Sequence, residues 1–199
     1  MKNIAIFASG SGTNAENIIK YFSNGTTASV CLVLSNRRDA YVIKRAASLN
    51  VQSVFFDRKD FYERGTVMNL LRDHRIDFIV LAGFLWLVPS DILTSYENRI
   101  VNIHPALLPG YGGRGMYGDR VHEAVIRAGE KESGITIHYV NSEYDAGDII
   151  FQAVCPVLED DTPADVAARV HALEYKHYPV VIEELVSKLP ELPERCPDL

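Results

Sequence analysis

The chain has 199 residues, of which 47% are hydrophobic and 23% charged, and its formal net charge is −6. This composition excludes a largely disordered chain, and the acidic charge argues against a nucleic-acid surface, which needs a concentrated basic stripe. No apolar run approaches the roughly 20 residues of a membrane-spanning helix, so we expect no membrane association. The cysteines have no metal-type spacing and form an odd count, which indicates reduced thiols in a cytoplasmic protein; they are Cys31, Cys155 and Cys196.

Apolar segments alternate with stretches of helical periodicity along the chain, and this alternation predicts an α/β fold. Seven segments are predicted to be strands, namely 4–8, 30–35, 53–56, 78–82, 100–103, 134–140 and 149–154. Because strands separated by helices pair in parallel, we expect a parallel central sheet covered by helices. A chain of this length folds as one domain, which we place at 1–189, followed by a proline-rich tail at 190–199.

Three helices have clear sequence signals. The first is expected to begin near Asn14, because Thr13 and Glu16 resemble a capping box, and to bury Ala15, Ile18, Ile19 and Phe22. Another is expected to follow Asp119 and to bury Val121, Ala124, Val125 and Ala128. Thr162 and Pro163 are expected to open a long last helix.

The glycine-rich segment 9–14 (SGSGTN) lies between the first strand and the first helix. Glycines there let the backbone approach a ligand, and the free N–H groups of the helix start favour an anion. The segment lacks the third glycine of a dinucleotide fingerprint and the lysine of a nucleotide-triphosphate loop, so a phosphate monoester suits it better. A tight turn closed by the capping box is the alternative.

Asn102 lies on the strand predicted at 100–103, and His104 follows two residues later, directly after the end of that strand. Alternate residues of a strand project to the same side, and open α/β sheets place their chemistry at strand ends. An amide can hydrogen-bond a carbonyl oxygen, and an imidazole can move a proton near neutral pH. On the pair alone, a buried Asn and His satisfied by backbone groups would be more common than a catalytic pair.

The acidic, turn-rich segment 141–148 joins the last two predicted strands. A carboxylate from this segment placed beside His104 would orient the imidazole and stabilise its protonated form, which raises the pKa. Acidic residues in turns are also common as solvated or capping groups.

Five motifs in order extend over nearly the whole chain: 9–14 (SGSGTN), 81–84 (LAGF), 102–109 (NIHPALLP), 134–140 (GITIHYV) and 145–150 (DAGDII). Together they closely resemble the glycinamide ribonucleotide formyltransferases, a folate-dependent family of purine synthesis. The resemblance implies a Rossmann-like three-layer formyltransferase fold, with a mostly parallel central sheet and helices on both faces. It also implies 10-formyltetrahydrofolate as cosubstrate and no metal.

The resemblance assigns roles to individual residues. Asn102, His104 and Asp145 correspond to the catalytic residues of the family. The residues that correspond to its ribonucleotide phosphate and glycinamide contacts are Gly12, Thr13, Asn14, His171 and Glu174. Those that correspond to its folate contacts are Lys59, Leu85, Trp86, Leu87, Val88, Asn141 and Tyr144.

Several positions depart from the family pattern. Trp86 stands where some members have arginine, which favours stacking over charge pairing with the folate. Ala106 replaces the serine that is often found two residues after the histidine. The segment 110–119 is longer and richer in glycine than usual, so it is either a flexible lid, with Arg114 as a cation for a substrate anion, or a plain surface loop.

The expected activity is formyl transfer to the amine of glycinamide ribonucleotide, by a monomer or a homodimer. The alternatives are a 10-formyltetrahydrofolate hydrolase and a formyltransferase for another amine, such as methionyl-tRNA. We expect neither, because their usual regulatory or basic tRNA-binding domains do not fit in this acidic chain of 199 residues. A protein that only senses folate or nucleotide is disfavoured because Asn102, His104 and Asp145 are all present.

Overall fold

The structure is a computed structural model that describes residues 1–25 and 27–190. Residues 191–199, which include Cys196 and nearly all of the tail predicted at 190–199, lie outside the described residues. Pro190 itself is described, and its carbonyl oxygen accepts hydrogen bonds from Lys2 Nζ at 3.3 Å and Arg99 Nη2 at 3.2 Å.

Strands and helices alternate as the sequence predicts. The strands are β1 (Lys2–Phe7), β2 (Ala28–Ser35), β3 (Gln52–Phe55), β4 (Phe78–Leu81), β5 (Ile100–His104), β6 (Glu132–Tyr139) and β7 (Ile149–Pro156). The helices are α1 (Thr13–Phe22), α2 (Tyr41–Ser48), α3 (Arg58–Tyr62), α4 (Thr66–Asp73), α5 (Ser90–Ser95), α6 (Asp119–Arg127) and α7 (Pro163–Ser187). Each predicted strand is present, with its ends displaced by at most two residues.

The strands form one sheet in the order β3-β2-β1-β4-β5-β6-β7. The five strands from β3 to β5 pair in parallel, whereas β6 is antiparallel to β5 and β7 is antiparallel to β6. The expected mostly parallel α/β sheet is therefore confirmed. The strand order reverses direction between β1 and β4. Ligands of open α/β sheets bind at the carboxyl ends of the strands at such a reversal.

Each face of the sheet carries its own hydrophobic core, because successive residues of a strand point to opposite faces. On β1, Ile4 and Ile6 pack with α1, α2, α6 and α7, whereas Ala5 and Phe7 pack with α3, α4 and α5. The expected three layers, with helices on both faces, are thus confirmed.

The start of α1 differs from the predicted capping box. Gly12 is the N-cap residue, with a φ of 74°, and the cap has no side-chain hydrogen bond. Instead, the Glu16 carboxylate binds Lys20 at 2.5 Å and also binds Arg45 of α2. The prediction of a Thr13–Glu16 capping box is wrong because these two cations hold the carboxylate on the helix surface.

The core-facing side of α6 is also narrower than predicted. Val121 and Val125 are buried, but Ala124 is half-buried and Ala128 is exposed beyond the end of the helix. His122 is buried instead. In contrast, the predicted start of α7 is confirmed, since Thr162 and Asp165 form a reciprocal capping box and Pro163 is the first helical residue.

Candidate active site

Asn102 and His104 lie at the carboxyl end of β5, between parallel β4 and antiparallel β6. Asn102 pairs in register with Leu81 of β4 and with His138 of β6. Asn102 is half-buried, whereas His104 is 3% exposed. The end of β5 therefore presents an amide beside a buried imidazole.

Asp145 reaches the same point from the loop between β6 and β7. Its Oδ2 atom lies 3.5 Å from His104 Nδ1, and its Oδ1 atom accepts a long hydrogen bond of 3.4 Å from Asn102 Nδ2. The backbone N–H of Gly113 also donates to Oδ2 at 2.9 Å. Asp145 has a φ of 54°, a left-handed conformation that aspartate tolerates better than most residues. The structure thus brings Asn102, His104 and Asp145 together.

His138 is a fourth polar residue at this centre, and our sequence assignment of site residues omitted it. Its Nε2 atom lies 3.1 Å from Asn102 Nδ2 and 3.7 Å from Asp145 Oδ1, and its Nδ1 atom lies 2.7 Å from the Tyr139 carbonyl oxygen. Because a carbonyl only accepts, Nδ1 carries the proton and Nε2 accepts from the Asn102 amide. His138 therefore fixes the orientation of Asn102.

The charges of His104 and Asp145 depend on burial and on each other. Burial lowers the pKa of His104 below its ordinary value and outweighs Asp145 and the Tyr111 carbonyl, which act in the opposite direction. Burial acts to raise the pKa of Asp145, but the positive charge that His138 and His104 carry when protonated, together with the Gly113 N–H, holds it below its ordinary value. Asp145 is therefore anionic at neutral pH, and the neutral form of His104 is favoured.

A cleft of about 580 Å³ opens beside this centre. The residues 9–14 line one part of it, Asn102 and Asp145 line another, and α7 completes the wall with His171 and Glu174. The structure therefore places all five residues assigned to the ribonucleotide on the same cleft as Asn102 and Asp145, namely Gly12, Thr13, Asn14, His171 and Glu174.

Half-buried Asn14 and buried Glu174 form a polar pair in the cleft wall. The Asn14 amide donates to Glu174 Oε2 at 2.9 Å, while the buried Asn14 Oδ1 atom has no hydrogen-bond partner. Glu174 is 5% exposed, and burial raises its pKa above the ordinary value. The pair presents acceptor oxygens, which suit an amine or hydroxyl group of a ligand.

The residues assigned to the folate lie at different distances from the cleft. Leu85 and Tyr144 line it, and a small adjoining pocket of about 50 Å³ is lined by Tyr144 together with Trp86, Leu87 and Val88. Lys59 and Asn141 are exposed and line neither space, and Asn141 Oδ1 accepts the N–H of Glu143. The structure does not bring these two to the site.

Arg58, the residue before Lys59, lies beside Trp86, which lines the small pocket. The Arg58 guanidinium lies 5.3 Å from the ring centre of Tyr62 and 5.7 Å from that of Trp86. Trp86 also packs edge-on against Phe56 within an aromatic cluster. The motif alignment assigned the neighbouring Lys59 instead, because it does not position this short segment to within one residue.

Three arginines line the main cleft. Arg114 belongs to the glycine-rich segment 110–119, Arg37 follows β2, and Arg120 lies in the first turn of α6. Our sequence analysis singled out Arg114 alone. Positive charge next to the glycine-rich loop favours an anionic ligand.

Across 1–25 and 27–190, no group of three or more His, Cys, Asp or Glu side chains is placed to hold a metal ion. Within the same ranges, no helix has the length and apolarity needed to cross a membrane. Cys31 and Cys155 are free thiols in the described part of the chain.

Residues 2–182 match the family described as Formyl transferase. The chloroplastic phosphoribosylglycinamide formyltransferase of Arabidopsis thaliana is 38% identical over 91% of this chain, which spans 64% of that relative's length. The enzyme of the same name from Bacillus subtilis is 38% identical over 94% of this chain and 95% of its own. A crystal structure of phosphoribosylglycinamide formyltransferase from Anaplasma phagocytophilum superposes with a TM-score of 0.86 at 33% identity, over 97% of this chain and 90% of that one. These likenesses confirm the resemblance drawn from the five motifs, and the chain belongs to the formyl transferase family.

Proposed function

We propose that this protein transfers the formyl group of 10-formyltetrahydrofolate to the amine of N1-(5-phospho-D-ribosyl)glycinamide, a step of purine synthesis. The observation that carries the proposal is a single cleft that joins Asn102 and Asp145 to the glycine-rich segment 9–14. A ligand with an amine at one end and a phosphate at the other matches these two regions. The names of the relatives support the same substrate.

The reaction exchanges one carbon–nitrogen bond for another. The amine lone pair attacks the formyl carbon, and the carbonyl π electrons move onto oxygen to give a tetrahedral intermediate. Collapse re-forms the carbonyl and breaks the bond to the folate nitrogen, which leaves with that electron pair and gains a proton. The attacking nitrogen loses a proton, so the protein must stabilise one oxyanion and move one proton.

We assign Asn102 to the oxyanion. One N–H of its amide is committed to His138 Nε2 at 3.1 Å, whereas the other makes only a long contact of 3.4 Å with Asp145. A hydrogen bond this long is weak, so a developing oxyanion in the cleft can take over the second N–H.

We assign His104 and Asp145 to proton movement. Because His104 Nε2 donates to the Tyr111 carbonyl, Nδ1 is the atom that can accept a proton, and it faces Asp145 Oδ2. His104 is 3% exposed and does not line the cleft, whereas Asp145 does. Its negative charge stabilises the imidazolium that forms when the amine proton is taken up.

Substrate binding follows the layout of the cleft. The phosphate would lie on Gly12, Thr13 and Asn14, where α1 offers backbone N–H groups, and the glycinamide would lie near His171 and Glu174. For the folate we propose Leu85, Trp86, Leu87, Val88 and Tyr144, with Lys59 and Asn141 as assignments that rest on the motif alignment alone.

The remaining properties are proposed on chemical grounds. The reaction needs an oxyanion donor and a proton carrier, which side chains supply, so we expect activity without a metal. The net charge of −6 favours small-molecule substrates over nucleic acid. We place the enzyme in the cytoplasm on the cysteine pattern, as a monomer or homodimer.

The test is tetrahydrofolate release from 10-formyltetrahydrofolate by the purified protein, with and without glycinamide ribonucleotide, together with detection of the formylated product. We expect release and product only when the ribonucleotide is present. Release without the ribonucleotide would establish a hydrolase instead. Absence of release under both conditions would contradict the proposal and indicate another acceptor or a binding role.

A further inference from the structure

Residues 105–113, here called the strap, run from His104 toward α6 and contact the centre through their backbone. The Tyr111 carbonyl oxygen lies 2.7 Å from His104 Nε2, and the Gly113 N–H donates to Asp145 Oδ2 at 2.9 Å. Two backbone groups separated by one residue thus hold the imidazole and the carboxylate. The position of the strap sets the geometry of both side chains.

The contact with Tyr111 also fixes the tautomer of His104. A carbonyl oxygen at 2.7 Å can only accept, so Nε2 carries the proton and Nδ1 is left to face Asp145. If the carbonyl moved away, Nε2 would lose its acceptor. The ring would then be free to place its proton on Nδ1, where it could no longer accept one.

The first half of the strap is anchored by buried side chains. Thr136 Oγ1 donates to the Ala106 carbonyl at 2.7 Å and accepts the Leu108 N–H at 2.9 Å. Gln152 Nε2 donates to the Leu108 carbonyl at 3.0 Å. These groups fix the strap as far as Leu108 but not at Tyr111 and Gly113.

The second half is anchored by the side chain of Tyr111. Its hydroxyl donates to Glu130 Oε1 at 2.7 Å, and its ring packs against the hydrophobic core that includes α7. Tyr111 has a φ of 57°, a left-handed conformation that tyrosine adopts only when its surroundings hold it there. The contact with Glu130 is one of those surroundings.

Glu130 itself is well placed to serve as an anchor. Its backbone N–H bonds to the Val125 carbonyl at 3.3 Å, and the preceding Gly129 N–H bonds to the Ile126 carbonyl at 2.9 Å. Both bonds tie the residue to the end of α6. The Glu130 carboxylate is therefore carried by a helix end rather than by a free loop.

We propose that Tyr111 and Glu130 are positioning residues, whose side-chain contact on the surface holds the strap so that its backbone orients His104 and Asp145. This proposal rests on the proposed formyl transfer. Neither side chain lines the cleft. Their effect on the reaction is exerted through the Tyr111 carbonyl and the Gly113 N–H.

The test compares Tyr111→Phe with Tyr21→Phe. Tyr21 is a matched control, because its hydroxyl also donates to a surface glutamate, Glu183 Oε2 at 2.5 Å, on helices away from the strap. We expect Tyr111→Phe to lower kcat about tenfold, with KM for both substrates changed by less than about twofold, because misplacement of reacting groups slows chemistry more than binding. Tyr21→Phe should leave both constants unchanged.

Two substitutions of Glu130 refine the test. Glu130→Gln keeps an acceptor for the Tyr111 hydroxyl and should retain most of kcat, whereas Glu130→Ala should match Tyr111→Phe. The double variant of Tyr111→Phe and Glu130→Ala should be no worse than either alone, since both remove the same contact. Equal activity of Tyr111→Phe and Tyr21→Phe, or a change confined to KM, would overturn the proposal.

A spectroscopic readout separates this proposal from the assignment of the reaction. In protein labelled with ¹⁵N-histidine, the His104 Nε2–H signal, identified by its loss in His104→Gln, should change in Tyr111→Phe and persist in Tyr21→Phe. An unchanged signal in Tyr111→Phe would refute the strap anchor. Lack of transfer by the unmodified protein would refute the proposed reaction and leave this comparison valid.

The groups facing His104 that affect its titration are Asp145, His138 and His122.

Discussion

Asn14 of α1 donates its side-chain amide to Glu174 of α7 at 2.9 Å, across 160 residues of sequence. The contact joins the end of the glycine-rich segment to the helix that forms the opposite wall of the cleft. A buried carboxylate beside an unpartnered amide oxygen gives this wall two acceptors. We interpret the pair as the contact for the glycinamide amine or a ribose hydroxyl.

Glu174→Gln should raise KM for glycinamide ribonucleotide about tenfold or more, because hydrogen bonds to a charged group contribute about 1.5–3 kcal/mol. The turnover number should change little. Glu183→Gln is the control on the same helix, since Glu183 contacts Tyr21 outside the cleft. Steady-state kinetics at varied ribonucleotide concentration makes the measurement, and an unchanged KM in Glu174→Gln would exclude this contact.

Asn102→Ala should lower kcat by about 100 to 1,000-fold, the usual effect of removing one oxyanion donor. Binding of the ribonucleotide, followed by calorimetry, should be nearly unchanged because segment 9–14 is untouched. Asn17→Ala is a suitable control, because it also removes an amide donor, here to the Tyr175 carbonyl at 2.9 Å, outside the cleft. A fall in kcat of less than about tenfold in Asn102→Ala would argue for a different oxyanion donor.

Gly12→Ala should destabilise the fold and weaken ribonucleotide binding. Gly12 has a φ of 74°, and a Cβ atom built on it would lie 2.4 Å from Val42 Cγ2. We expect a loss of about 1–3 kcal/mol in the free energy of unfolding. Gly10→Ala is the stability control, because a Cβ atom there has nothing within 4 Å. Denaturant unfolding of both variants is the measurement, and equal stability would contradict both the backbone strain and the clash with Val42 expected at Gly12.

Local sequence patterns predicted the strands and the placement of Asn102 and His104, because period-two alternation and strand ends are encoded within a few residues. The contacts that depend on packing between distant elements were not predictable in this way. The predicted capping box is wrong because Arg45 of α2 binds Glu16. His138 was overlooked because the sequences of β5 and β6 do not reveal which of their residues pair across the sheet. Likewise, the sequence does not reveal which of the neighbouring residues Arg58 and Lys59 the short helix α3 turns toward Trp86.

Asp145→Asn should lower the pKa of His104 further. Burial already holds this pKa below the ordinary value of 6.5, and the charge of Asp145 acts to raise it, so removing that charge removes support for the imidazolium. Asp148→Asn, in the same loop, is the control for loss of one negative charge. Histidine NMR titration measures the shift directly.

The same substitution has a consequence for stability. A histidine whose pKa is lower in the folded than in the unfolded state binds fewer protons when folded, so its contribution to stability is lost as the pH falls below about 6.5. In Asp145→Asn this loss should begin at the same pH and extend to lower pH, because the folded-state pKa is lower. Unfolding free energies between pH 7 and pH 5 should therefore diverge from those of Asp148→Asn. Parallel pH curves, or a rise in the His104 pKa, would contradict the proposed support of the imidazolium by Asp145.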